Sequence, residues 1–275
     1  MASYDVIRIG SYLSVLALMA TWELLAPRRP LSVSKLCRWG GNLTIVFLNT
    51  VIARLLFMGG AVAMAVMAQD QGWGLFNLTD WPAWLEIAFA IVALDFIIYW
   101  QHQVFHYVPF LWRFHMMHHS DVDLDVSSGV RFHPVEIVIS MGIKAASVLA
   151  LGVSPTAVVI FEIILNTSSL FNRSNVRIPV EIDRLLRWFV VTPDMHRIHH
   201  SSDVRETNSN YGFNVPWWDR LFGTYTADPA LGQTGMTVGL EHLGPAVCLN
   251  LLLMLRLPFV AQLGRYAARS PHSMP

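Results

Sequence analysis

The chain has 275 residues, 54% hydrophobic and 14% charged, which excludes an ordinary soluble domain of this size and predicts an integral membrane protein. Its 19 basic and 19 acidic residues cancel, and no Lys/Arg cluster offers a nucleic-acid surface. Cys37 and Cys248 stand far apart with no CxxC pair, which argues against a disulfide framework and a thiolate metal site. Any metal is therefore held by nitrogen and oxygen.

In chain order, Val6 to Ala26 is the first apolar run. Its basic flank, Arg28, Arg29, Lys35 and Arg38, follows it, the reverse of a signal peptide. Leu43 to Ala68 is long enough to span with tilt, and the connection from Gln69 to Ala83 carries acids, glycine and tryptophan but no Lys or Arg, which places it outside. Trp84 to about Tyr99 returns inward and continues as a helix into YWQHQVFHY. Val135 to Gly152 and Pro155 to Phe171 form a helical hairpin around a Gly-Val-Ser-Pro turn, in which Lys144 and Glu162 must face protein or water. Residues 172 to 240 are richer in arginine and read as cytoplasmic. Leu243 to Leu263, interrupted by Arg256 and Pro258, reads equally as a span or as a helix lying in the interface. The expected architecture is all-α, an integral membrane protein with about four transmembrane helices and a cytoplasmic helical cap. Its N-terminus lies outside and its histidine-rich segments inside. Three units follow: membrane helices over 1–83, a catalytic portion over 84–240, and an interfacial or membrane helix with a tail over 241–275.

Eight of the eleven histidines fall into three groups: His102 and His106 as HxxxH, then His115, His118 and His119, then His196, His199 and His200, each of the latter as HxxHH. On a helix, positions i and i+4 share a face, whereas adjacent residues diverge by about 100°. His118 and His119 are accordingly expected to serve different metals. Eight neutral imidazoles are too many for one tetrahedral ion and suit two. A single HxxxH has packing as an equal explanation, but two HxxHH groups on one membrane side do not. A closed zinc site with four ligands and some thiolate fits poorly. Asp95, seven residues before His102, is the better candidate to support a ligand, because an acid in an apolar run needs a partner. Asp121 and Asp203, trailing the two HxxHH groups, read equally as supports or as caps and loop acids. His242 and His272 stand outside every group. The aromatic run of Tyr211, Phe213, Trp217, Trp218, Phe222 and Tyr225 reads as a lid over the metals or, more simply, an interfacial belt.

The three groups together resemble the fatty acid hydroxylase superfamily, which includes sterol desaturases, sterol methyl oxidases and sphingolipid hydroxylases. RFHPVE from Arg131, SNVRIP from Ser174, TPDMHRIHHS from Thr192 and WDRLFGTY ending at Tyr225 are similar to its bacterial members. The resemblance covers residues 90 to 226. It implies two iron ions held by the eight histidines, with O2 as co-substrate and hydroxylation of a lipid C–H bond. Desaturation at the same centre is the alternative, and a non-redox metal-binding membrane protein is the alternative from another class. It further implies a lipid substrate drawn from the bilayer, and the bacterial likeness implies an inner-membrane location. No flavin, nicotinamide, haem or cluster motif is visible in the chain, so the electrons come from a separate donor of ferredoxin or cytochrome b5 type. Where many relatives carry histidine, this chain has Arg173, a candidate for a carboxylate or phosphate headgroup or for a nearby acid. His133, Asn172 and Asn175 are weaker candidates to support ligands, and His133-Pro134 also reads as a helix start.

Overall fold

The computed structural model describes residues 2–262 and Tyr266. Leu263, at the end of the last apolar run, and His272 lie outside the described residues. Among those described there is no strand, only two isolated bridges, Pro27 with Val176 and Ser201 with Val238. The long helices are α1 (Ala2–Leu25), α2 (Lys35–Leu56), α3 (Gly60–Gln71), α4 (Ala83–Tyr107), α5 (Pro109–His119), α6 (Pro134–Leu151) and α7 (Pro155–Asn172). Shorter ones follow: α8 (Val180–Leu186), α9 (Pro193–His199), α10 (Val204–Thr207), α11 (Trp217–Phe222), α12 (Gly232–Gly235), α13 (Ala246–Leu249) and α14 (Leu251–Val260).

Four segments are long and apolar enough to cross a membrane: Lys35–Asn77, Ala83–Tyr107, Pro134–Leu151 and Pro155–Asn172. The number agrees with expectation, but two details differ. Helix α1 carries Asp5, Arg8 and Glu23 and is not among the four. The run from Leu43 to Ala68, read as one span, is two helices: α2 stops at Leu56, and Gly59 and Gly60 turn the chain with φ of 83° and 63°. Glycine adopts that left-handed backbone without the steric cost borne by other residues.

Proline at the first turn fixes where α5, α6, α7 and α9 begin, since its missing N–H is not needed there. The Ser154 and Thr192 hydroxyls cap α7 and α9, each accepting from a backbone N–H at 3.3 Å. Helices α6 and α7 form the expected hairpin, and Lys144 donates to Glu162 across it at 3.0 Å. The charged pair inside the apolar run thus faces protein, as required.

Helix α1 packs along α7, α3 on α6 and α7, α4 on α5 and α7, and α2 on α6. Ala65, Leu94, Val158 and Phe161 belong to the core joining α3, α4 and α7. A second core, with Trp112, Met116, Met254 and Leu257, seats α14 on α5. Ten residues of α14, with Pro258 inside, cover about 15 Å at 1.5 Å per residue. That is too short to cross, so the described part of the last apolar run is not a complete span.

Candidate metal centre

All eight motif histidines are buried and converge from three helices. His102 and His106 come from the end of α4, His115, His118 and His119 from α5, and His196, His199 and His200 from α9 and its cap. They divide into two groups whose ring nitrogens lie within 4.8 Å of one another: His102, His106, His115, His119 and His199 in one, His118, His196 and His200 in the other. The groups abut, with the His119 and His200 rings stacked at 4.4 Å. Adjacent histidines fall in different groups, His118 apart from His119 and His200 apart from His199, as their divergence on a helix leads one to expect.

A second layer of acceptors fixes how the rings face. His102 Nδ1 donates to the Tyr211 carbonyl at 2.8 Å and His199 Nδ1 to the Ser209 carbonyl at 2.8 Å. His118 Nδ1 donates to the Arg131 carbonyl at 3.1 Å, His106 Nδ1 to Asn208 Oδ1 at 3.2 Å, and His115 Nδ1 to Glu136 Oε1 at 2.7 Å. Because each acceptor lacks a proton to give, the N–H sits on Nδ1 and the lone pair on Nε2. The Nε2 atoms of His102, His106, His115, His119 and His199 are buried with no hydrogen-bond partner. An unmet buried polar atom costs about 1–3 kcal/mol, so five converging ones describe a site shaped for an electron-pair acceptor. A metal ion fits this set. Five nitrogens exceed zinc's usual four, while imidazole itself suits iron, copper, nickel and zinc alike.

Burial holds His118, His119, His196, His199 and His200 neutral, their pKa values well below the usual imidazole range, with the charge of Arg173 adding to the effect at His118, His196 and His200. Neutral imidazole is the form that binds metal.

Most of the supports expected from sequence have other partners. Asp95 accepts from Asn214 at 2.7 Å and from the Trp218 indole at 2.6 Å, not from a histidine. It anchors the segment whose Tyr211 carbonyl holds His102. Asp121 is bound by Arg38 and Ser128. Asp203 caps α10 through Arg205 N–H. Asn175 exchanges hydrogen bonds with the Arg29 backbone, while Asn172 donates to the Phe213 carbonyl and accepts from Arg173. His133 caps α6 and faces the Leu255 carbonyl, away from both groups. The physical reason is common to all six: a closer donor or acceptor satisfies each before a histidine can. Glu136 and Asn208 were not singled out in the sequence, and only the place of Glu136 as the last residue of the RFHPVE motif signalled it.

Arg173 is buried beside the smaller group. Its Nε lies 3.3 Å from His118 Nε2, its Nη1 donates to Asn172 Oδ1 at 2.8 Å and Ser169 Oγ at 3.2 Å, and its plane covers Phe213. Burial lowers its pKa to about 9, partly offset by Glu136. The aromatic run divides. Tyr211 is buried against the His106 ring at 5.1 Å and Trp218 is tied to Asp95, whereas Trp217 and Phe222 are exposed.

The loop after α5 is clamped from α2. Arg38, fully buried, donates to Asp121 at 2.8 and 2.9 Å and to Asp125 at 2.7 Å. Glu23 Oε1 accepts from Val126 N at 2.6 Å and Asn175 N at 2.8 Å.

From His102, His115, Glu136 and Arg173, a cavity of about 900 Å³ extends between α1, α2, α4, α6 and α7 to Arg8, Lys144 and Glu162. Its far end lies well inside the apolar segments: Lys144 is about 12 Å along α6 from Glu136 at 1.5 Å per residue.

Comparison with known proteins matches residues 87–224 to the family model described as fatty acid hydroxylase. An ornithine lipid hydroxylase of Rhizobium tropici is 27% identical over 82% of this chain and 69% of its own length. The human alkylglycerol monooxygenase is 27% identical over 61% of this chain but only 36% of its own length. A putative Delta(7)-sterol-C5(6)-desaturase of Arabidopsis thaliana is 27% identical over 56% of this chain and 55% of its own. No solved structure gives a significant match.

Proposed function

The chain belongs to the fatty acid hydroxylase family, and on that premise we propose that it is a membrane-bound non-haem di-iron oxygenase. In this reading it hydroxylates an unactivated C–H bond of a lipid, using O2 and two electrons from a separate ferredoxin- or cytochrome b5-type donor. Its similar proteins carry the names of lipid hydroxylases, monooxygenases and desaturases, all oxidoreductases. The observation that carries the proposal is the set of buried, unpartnered Nε2 atoms at one end of a cavity enclosed by apolar helices.

His102, His106, His115, His119 and His199 would hold one ion, and His118, His196 and His200 the other. When bound, two irons supply O2 activation and the oxidising power to attack an unactivated C–H bond. The chain's own residues supply the rest. Glu136 holds the proton on His115 Nδ1 and keeps Nε2 as the ligating atom. The carbonyls of Tyr211, Ser209 and Arg131 do the same for His102, His199 and His118. Phe105, Phe132 and Phe213 wall the cavity near the histidines and exclude water from the target carbon. Arg173, at the histidine end, donates from Nε to the His118 Nε2 lone pair that a metal would take, and its Nη2 has no hydrogen-bond partner. The catalytic portion over 84–240 is completed by α1 and α2, which contribute cavity wall. The basic flank joins the histidine end through Arg28 and Asp194 at 2.9 Å, which supports a cytoplasmic metal face.

Desaturation is the second reading, supported by the similarity to a sterol desaturase. It needs the same ligands and differs in how two substrate carbons face the oxidant. The purified protein is expected to contain iron and to consume O2 with reductant and membrane lipid. His199→Ala is expected to insert normally yet lose metal and activity. A protein holding zinc alone, inert toward O2, would establish the non-redox reading instead. Lipid mass spectrometry of cells with and without the protein distinguishes gain of one oxygen from loss of two hydrogens.

A further inference from the structure

The end of the cavity remote from the histidines is built from charged groups that the chemistry above leaves unused. Arg8 on α1 lies 2.8 Å and Lys144 on α6 3.0 Å from the carboxylate of Glu162 on α7, which is 4% exposed. One carboxylate therefore serves two cations. Arg54, in the last turn of α2, lines the same space, and among the described residues it has no hydrogen-bond or ion-pair partner. Asp5, the remaining acid, has a side chain 57% exposed and 3.4 Å from Arg8, so solvent screens it. Three cations, of which Arg54 is exposed, thus face one buried and one exposed acid, within helices whose other residues are largely apolar. An excess cation at membrane depth is costly unless it meets an anion or water. Three polar atoms there are buried without a hydrogen-bond partner: Glu162 Oε2, which has only its ion pair with Arg8, and Arg8 Nε and the Tyr12 hydroxyl, the latter two on residues that share a face of α1 one turn apart.

Guanidinium, ammonium and phenol groups gathered around an open space make a receptor for oxygen anions. The α2–α3 turn borders that space with Gly59 and Gly60, so the second apolar run is interrupted where a molecule from the bilayer would enter. We propose that this end of the cavity is a subsite for the oxyanionic head, carboxylate or phosphate, of an amphiphile whose alkyl portion runs to the histidines. Resting on the oxygenase reading, the oxidised carbon lies about 12 Å from that head, the length of α6 between Lys144 and Glu136. An internal ion pair alone does not account for the arrangement, because it leaves Arg8 Nε and the Tyr12 hydroxyl, both buried, without a partner.

The test is equilibrium binding of dodecyl phosphate, laurate and dodecanol to the full-length protein in neutral detergent, which needs no bound metal. At least one oxyanionic probe is expected to bind about tenfold tighter than dodecanol, the size of one charge-assisted contact. A phosphate preference points to a phospholipid and a carboxylate preference to a free fatty acid. Arg54→Gln, which disturbs no internal pair, is expected to remove most of that preference, and Lys144→Gln likewise. Met141→Trp, filling the middle of the cavity, is expected to weaken all three probes. Equal binding of dodecanol, a preference unchanged in Arg54→Gln, or anion binding indifferent to Met141→Trp would each overturn the subsite. Selective binding without any O2 consumption in the iron-loaded protein would leave the subsite standing and sink the oxygenase reading; oxidation without selectivity would do the reverse.

Discussion

Glu136 bonds directly to a motif histidine, and its effect passes through that one hydrogen bond to His115. Removing a group that orients a ligating histidine typically weakens metal binding about 10–100-fold. Glu136→Ala is therefore expected to lower metal affinity by that order, read by competition with a chelator; unchanged affinity would mean that His115 needs no partner. Arg173 sets the charge beside the smaller histidine group and brings its Nε toward the lone pair of His118. Arg173→His removes a buried cation and adds a nitrogen donor, so metal bound per chain is expected to rise, measured by elemental analysis. A fall would show that the guanidinium holds His118 in place. The histidines themselves were legible in sequence because helical spacing dictates which share a face. Their supports were not. Asp95 and Asp121 stand close to ligands in sequence but bind Trp218 and Arg38, while Glu136 and Asn208 reach theirs from other segments. Spacing along one helix carries no information about such distant pairings.

At the scale of elements, the loop from Ser120 to Arg131 links two helices of the site and depends on a residue far back in the chain. Arg38 on α2 is surrounded by Asp121, Asp125 and Ser128. Sequence assigned it only to a basic flank, since nothing local marks a buried arginine. Breaking a buried ion pair from one side costs about 3–5 kcal/mol, because the abandoned charges stay buried. Arg38→Leu is expected to destabilise the protein by that order in thermal or denaturant unfolding in detergent. Asp121→Asn in the same chain is expected to recover part of the loss. The α6–α7 hairpin and the proline starts of α6, α7 and α9 were legible because proline and glycine act locally. The break at Gly59 and Gly60 carried the same signal, but the hydropathy of the run concealed it.

At the scale of the whole molecule, the charges cancel, so general repulsion does not govern how stability responds to pH. Buried groups do. Outside the spans, five of the site's imidazoles have pKa values well below their usual 6.5 when folded. The unfolded chain thus binds more protons below that value, and stability is lost as pH falls through it. Asp219 opposes this. Burial raises its pKa from 3.8 to about 7, so its contribution is present at low pH and is lost as pH rises between those values. Five groups outweigh one. The metal-free protein is expected to melt at lower temperature near pH 5.5 than near pH 7.5, about one unit either side of 6.5, and Asp219→Asn is expected to steepen the fall. A flat profile in calorimetry would contradict this.

The placement of the eight histidines on three helices also dictates an order of manufacture for the proposed metal site. His102 to His119 leave the ribosome first, the hairpin of α6 and α7 must then enter the bilayer, and only afterwards does α9 bring the last three imidazoles. Both ligand groups draw on α9, so neither is complete in a nascent chain that ends before it. On the proposed reading, metal insertion is a late step of biogenesis, and a chain stalled within the hairpin has no completed pocket to trap the wrong ion.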